Sequence, residues 1–159
     1  MTIQSFDLYT KNGYAGDLVD SGPRVVQTGI LTSATAGFGV AMKRDSASVD
    51  RGVALGSEDV AVFAITQREL NHEAANRPST GEDFQYYETE SVSLIRQGYL
   101  YIKLTGAQGI AAGEALHVDK VTGEFSKSTV AGNVVATTNV VAEEAGIADD
   151  IIKVRLDIV

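Results

Sequence analysis

Near the end of the chain, Ile152, Val154, Leu156 and Ile158 alternate with Lys153, Arg155 and Asp157. A period of two puts the four apolar side chains on one face of an extended strand and the charged ones on the other. An α-helix would scatter the same positions around its axis, because it turns 100° per residue. The pattern predicts a strand with one buried face that runs to Val159, so that the chain finishes inside its sheet. Isolated strands and hairpins are marginal in water, so the residues upstream must supply its partners.

They repeat the same alternation. Leu100, Ile102 and Leu104 stand opposite Tyr99, Tyr101 and Lys103, and Val92 and Leu94 keep the phase, with Gly98 between the two halves. A glycine inside a strand marks a bulge or a sharp bend. Val60 to Thr66 is almost wholly apolar and predicts a strand buried on both faces. Leu116 and Val118, the loop Asp119–Gly123 and then Phe125 predict a hairpin. Helical expectations are confined to a turn or two at Thr66–Asn76, ended by Pro78 and Gly81, and at Glu143–Ala145. The fold expected is therefore mainly β, a small barrel or sandwich of short strands with less helix than strand.

The first 23 residues differ from this pattern. Thr10 to Gly16 is made of turn formers without strand alternation, and Gly22-Pro23 closes the segment. Phe6, Leu8, Tyr9, Tyr14, Leu18 and Val19 nevertheless make it more apolar than a solvated tail requires. The expectation is an extended N-terminal arm, residues 1–23, ahead of a barrel-like domain, residues 24–159. Such an arm gains most by lying on its own barrel or on a partner.

Composition narrows the function. The chain has 159 residues, enough for one self-sufficient core. It carries 21 acidic and 13 basic residues, a net charge of −8, with the two signs interspersed. Without a basic stripe it offers nothing to nucleic-acid phosphates or to an anionic membrane surface. The N-terminus has neither the charged nor the apolar region of a signal peptide. No apolar run approaches the ~20 residues of a membrane helix. Having no cysteine, it cannot form a disulfide, a thiolate metal site or a Cys nucleophile.

Catalytic patterns fail one by one. His72 and His117 lie in no motif that supplies a nucleophile or an orienting carboxylate. Gly37-Phe38-Gly39-Val40-Ala41-Met42 begins like a dinucleotide fingerprint, but Met42 occupies the third glycine position. The acidic pairs Asp17/Asp20, Glu82/Asp83, Glu88/Glu90, Glu143/Glu144 and Asp149/Asp150 lack calcium-loop spacing and read as solvated faces. The expectation is a binding protein, not an enzyme, with no cofactor and no metal site. Tyrosine buries area at low entropic cost and is enriched at interfaces. Phe84, Tyr86 and Tyr87, and the pair Tyr99 and Tyr101, are therefore either interface residues or the cap of an ordinary barrel.

Gly13-Tyr14-Ala15-Gly16-Asp17-Leu18-Val19-Asp20-Ser21-Gly22-Pro23 resembles the N-terminal signature of phage structural cement (capsid decoration) proteins. Phe38–Ala41 resembles that family's short early strand, Val60–Thr66 the strand after it, Val92–Ile102 its central strand pair, and Ala112–Asp119 with Thr122–Phe125 its late hairpin. Glu69–Tyr87 departs from the pattern, being longer and more polar. The resemblance implies a virion protein on the outer surface of an assembled head, bound to the major capsid protein and bridging neighbouring subunits. The tail Ile152–Val159 and the tyrosine-rich surface suggest a homo-oligomer, a trimer ahead of a dimer, because a capsid offers local three-fold and two-fold positions. Phe6, Tyr9, Tyr14 and Leu18 in the arm, with Tyr99 and Tyr101 on the barrel, are the expected capsid or oligomer contacts. The competing reading is a ligand- or carbohydrate-binding β-module of a phage tail or fibre. Loops rich in Tyr and acidic residues fit it, and the absence of Trp weighs against it.

Overall fold

In the computed structural model, which describes residues 13–19, 22–45, 47, 50–58, 60–69, 85–106, 108–127 and 132–158, every regular element is a strand. The strands are β1 (Val25–Leu31), β2 (Thr35–Gly37), β3 (Ala41–Arg44), β4 (Gly52–Leu55), β5 (Ala64–Thr66) and β6 (Gln85–Tyr87). They continue with β7 (Ser91–Lys103), β8 (Ala115–Asp119), β9 (Phe125–Ser126), β10 (Val134–Ala142) and β11 (Ile151–Leu156).

Nine of them form one sheet in the order β1-β4-β3-β5-β7-β11-β10-β8-β9, while β2 pairs only with β6. An additional β1–β7 pairing makes a circuit of β1, β4, β3, β5 and β7, from which the remaining strands extend. The sheet as a whole does not close into one barrel, and the architecture is sandwich-like. β7 joins the two parts. Its first half lies between β1 and β5, and its second half pairs with β11 from Gly98 to Lys103.

Two cores follow from this arrangement. Leu31, Met42, Val53, Ala64, Val92 and Leu94 pack with Phe38 and Tyr86 in the smaller one. Ile65, Ile95, Leu100, Ile102, Leu116, Phe125, Ile152, Val154 and Leu156 belong to the larger. Adjacent residues point to opposite faces of a strand, so Ala64 and Ile65, like Leu94 and Ile95, serve different cores. This is why Val60–Thr66 reads as continuously apolar. The strand itself is only Ala64–Thr66, because Val62 bonds the side chain of Asn139 instead of a neighbouring strand.

Gly98 has the predicted special role. Even-numbered side chains before it (Val92, Leu94) enter the smaller core and those after it (Leu100, Ile102) enter the larger. The β1–β7 register slips between Val25 and Val26, whose partners are Gln97 and Ile95, and Gly98 follows at φ 134°. A side chain resists that angle, and a bulge is where a strand changes direction.

Three expectations are corrected. The terminal alternation is a strand, but β11 ends at Leu156 and Ile158 is exposed. There the Asp157 N–H still donates to Asn139 O (3.0 Å) of β10, but the β7 ladder stops at Leu156, which faces Gly98 at the bend. Phe38–Val40 is a turn joining β2 to β3, not a strand. Glu143–Ala145 is not helical: the Glu143 N–H donates to Lys153 O (2.9 Å), and Gly146 exchanges backbone hydrogen bonds with Ile110. Of the other helical candidate, Thr66 lies in β5 and residues 70–76 are outside the described residues. The late hairpin is present as β8 and β9, its turn held by Asp119 Oδ1 accepting from the N–H groups of Val121 (2.7 Å) and Thr122 (3.0 Å).

Candidate attachment face

Of the six expected contact residues, Phe6 and Tyr9 lie outside the described residues. The other four converge on the second half of β7. Residues 13–19 run beside it: the Gly16 N–H donates to Tyr101 O (2.7 Å), the Tyr101 N–H to Asp17 O (3.0 Å) and the Val19 N–H to Tyr99 O (2.9 Å). Leu18 forms an antiparallel bridge with Leu100. The edge of β7 left free by β11 is thereby covered, as an unpaired edge must be.

The segment has two faces. Leu18 turns inward and packs, half-buried, against the larger core. On the outward side Gly13 lies on the Tyr101 ring, where an added Cβ would come within 2.6 Å of Cδ2. Tyr14 is 64% exposed, yet it is held in place. Its N–H donates to Asp17 Oδ2 (2.8 Å), and the Arg68 guanidinium sits 3.9 Å from its ring centroid while reaching both Asp17 oxygens at 3.4 Å. Gly16, at φ 85°, closes the turn beneath, where a Cβ would come within 2.8 Å of Arg68 N and 3.0 Å of Gly39 N.

Tyr99 and Tyr101 are half-buried on the outward face of β7, paired with Arg155 and Lys153 of β11. The Lys153 ammonium lies 5.1 Å from the Tyr99 ring centroid, and Arg155 pairs with Asp157 and Glu143. Asp157 chiefly, with Tyr99 and Glu143, raises the Arg155 pKa above its ordinary value. The result is a ribbed surface of tyrosine rings flanked by paired charges, the amphipathic composition that suits a protein partner.

The upstream aromatics divide. Tyr86 is wholly buried, edge-on to Phe38 (centroids 5.3 Å apart), and its hydroxyl donates to Gln67 O (2.5 Å). Burial pushes its phenol pKa well up. It is a core residue, whereas Tyr87 is partly exposed and Phe84 lies outside the described residues. Among the described residues no three His, Asp or Glu side chains gather as a metal site requires. His117 is half-buried on β8, and His72 lies outside the described residues.

Sequence reasoning missed Arg68, whose position under Tyr14 depends on pairing 51 residues distant from Asp17. It also missed a second cluster, which includes Arg96 two residues before Gly98 on β7. There the guanidiniums of Arg44 and Arg96 each lie 4.5 Å from the centroid of the Phe63 ring.

Comparison with known proteins agrees with this architecture. Residues 3–157 match the family described as structural cement protein (E217 gp24/Pam3 gp6). Comparison with curated proteins gives no match. Among solved structures the fold is similar to a chain from "The capsid of Myoviridae Phage XM1", with a TM-score of 0.68 at 14% identity, covering 96% of this chain and 95% of that one. With the family match spanning nearly the whole sequence, the chain belongs to the phage structural cement protein family.

Proposed function

We propose that this protein binds the outer surface of an assembled phage capsid and stabilises it by bridging neighbouring major capsid protein subunits, without catalysing a reaction and without a cofactor. Its family is one of phage structural proteins, components of the virion. The observation that carries the reading is Tyr14: a large, exposed ring held rigid by Arg68 and Asp17, on a segment bonded to β7. An aromatic ordered before binding loses little entropy on docking, which is what a strong contact residue needs.

On this reading residues 1–23 are the attachment arm and residues 24–159 the body. Tyr14 is the leading contact, and Phe6 and Tyr9 extend the same arm. Tyr99 and Tyr101 continue the face, and Leu18 fixes the segment that presents it. Copies associate with one another on the shell, as a trimer ahead of a dimer, because closed symmetry is the usual outcome for identical chains. A reconstruction of decorated heads with no contact between copies would refute that association.

The test of attachment is Tyr14→Ala, mixed with undecorated heads. Removing an interface aromatic costs about 1–3 kcal/mol, so affinity should fall by roughly 5- to 150-fold. The backbone bonds of residues 16–19 do not involve the ring, so the thermal midpoint of the free protein should hardly move. A chain beginning at Arg24, checked first for an unchanged fold because it also loses the bonds of residues 16–19 to β7, should lose still more. Full affinity and full heat protection of heads by both variants would refute the arm's role.

A further inference from the structure

The strand circuit has an open end. Moving outward along three strands, Gly29 is followed by Gln27, Met42 by Arg44 and Leu94 by Arg96. The outer members line a cavity of about 220 Å³ with Phe63, above a floor that includes Gly29, Val53 and Leu94. Arg51 and Asp50 also line it, and a second cavity lined by Arg44, Phe63 and Arg96 includes Glu58. Phe63 is shared by both guanidiniums.

That pairing is costly as it stands. Two like charges are drawn to one ring, and Arg96 Nε is buried without a hydrogen-bond partner. Neither Arg44 nor Arg96 forms an ion pair within the described residues, although Asp50 and Glu58 lie near. Arg68 and Arg155, by contrast, are both matched to carboxylates, and Arg24 is exposed to solvent. In a protein of net charge −8, three arginines without ion pairs among the described residues, gathered around one cavity (44, 51 and 96), form a local concentration of positive charge that suits an anion.

We propose that this mouth receives an aspartate or glutamate side chain of the capsid protein, held between the Arg44 and Arg96 guanidiniums with Phe63 as its apolar wall. The inference rests on the capsid-binding reading and names a second contact for it. Guanidinium forks match a carboxylate in plane and spacing, and Phe63 keeps both forks aligned before the partner arrives. Charge complementarity selects the occupant. The remaining acidic surface repels an acidic partner, so a carboxylate on the shell finds its attraction concentrated here.

The experiment compares wild type, Arg44→Gln, Arg96→Gln and Arg44→Lys for binding to undecorated heads across a range of salt. Arg44 is exposed, so its variants test the idea even if Arg96→Gln fails to fold. The expected result is a loss of about tenfold or more for each Gln variant, with a shallower salt dependence, and a partial loss for Arg44→Lys, which keeps charge without the fork. Gln variants that bind as tightly as wild type overturn the inference while leaving capsid attachment intact. Full affinity in Arg44→Lys alone overturns the fork geometry. If wild-type protein itself fails to bind heads, the attachment reading falls, and this contact with it.

Discussion

Asn139 is a polar side chain inside the core, 6% exposed, and the structure fixes what its removal should cost. Its Nδ2 donates to Val62 O (2.9 Å) and Asp157 O (3.0 Å), and its Oδ1 accepts from the Val62 N–H (2.9 Å). One amide therefore joins the segment before β5 to the residue after β11. Asn139→Ala deletes three hydrogen bonds and leaves the buried Val62 peptide groups unpaired. At about 1 kcal/mol net per bond the loss is about 3 kcal/mol. For a chain of this length that lowers Tm by about 6–12 °C. Urea unfolding should show a lower midpoint with an unchanged slope. Asn139→Asp separates hydrogen bonding from shape, because it puts a carboxylate oxygen against the carbonyls of Val62 and Asp157. Those carbonyls and burial raise the folded-state pKa of the new acid above its unfolded value. The folded protein then binds the proton more tightly, so the penalty is greatest at neutral pH and shrinks as pH falls through the raised pKa. A loss below about 1 kcal/mol in Asn139→Ala, or wild-type stability of Asn139→Asp at pH 7, would refute the account.

Further expectations are more local. Gly16→Ala, forced to φ 85° against Arg68 N, should cost about 1–3 kcal/mol and release the Tyr14 turn, visible as increased exchange of the Gly16 and Val19 amides. Ile152→Ala, at 1% exposure in the larger core, should cost about 2–5 kcal/mol in urea unfolding. The Glu114 carboxylate accepts from the Ala111 N–H and from Lys127 Nζ, which lower its pKa below 4.5. Its stabilising effect is thus complete at neutral pH and fades as pH falls below that value, and an NMR titration of its carboxyl carbon should give a midpoint under 4.5.

Residues with a strict period of two were legible in the sequence. Ile152, Val154 and Leu156, like Leu100 and Ile102, are buried as their alternation requires. Gly98 was legible as a break, since few other residues tolerate that backbone. What could not be read was the second core. Leu94 beside Ile95 and Ala64 beside Ile65 look the same in sequence whether a strand is covered by one layer or shared by two. Thr137-Thr138-Asn139 is a run of polar residues with no apolar alternation, yet Thr137 and Asn139 are buried. The β10–β8 register breaks there, and the Thr137 hydroxyl donates to Leu116 O and Val140 O. The candidate site divides in the same way. Tyr14, Tyr99 and Tyr101 stand out by residue type, whereas the inward turn of Leu18 depends on its bridge to Leu100, 82 residues on in a chain of known register. The Arg44–Phe63–Arg96 cluster comes from separate parts of the chain, and no local pattern joins them.

The two proposed contacts share a strand. Arg96 precedes Gly98 on β7, and Tyr99 and Tyr101 follow it, so the arginine mouth and the tyrosine face are set on opposite sides of one fixed bend. Bridging depends on such rigidity. Once one contact holds, the second forms at an effective concentration set by how firmly the body holds the two apart. A hinge between them would dilute that concentration. Here β7 is bonded to β1 and β5 before the bend and to β11 and residues 16–19 after it. Under the proposed function, each contact on a shell of many copies can therefore be modest while the body resists separation of the subunits it bridges. A cement needs its stiffness in this strand more than it needs tight binding at either end.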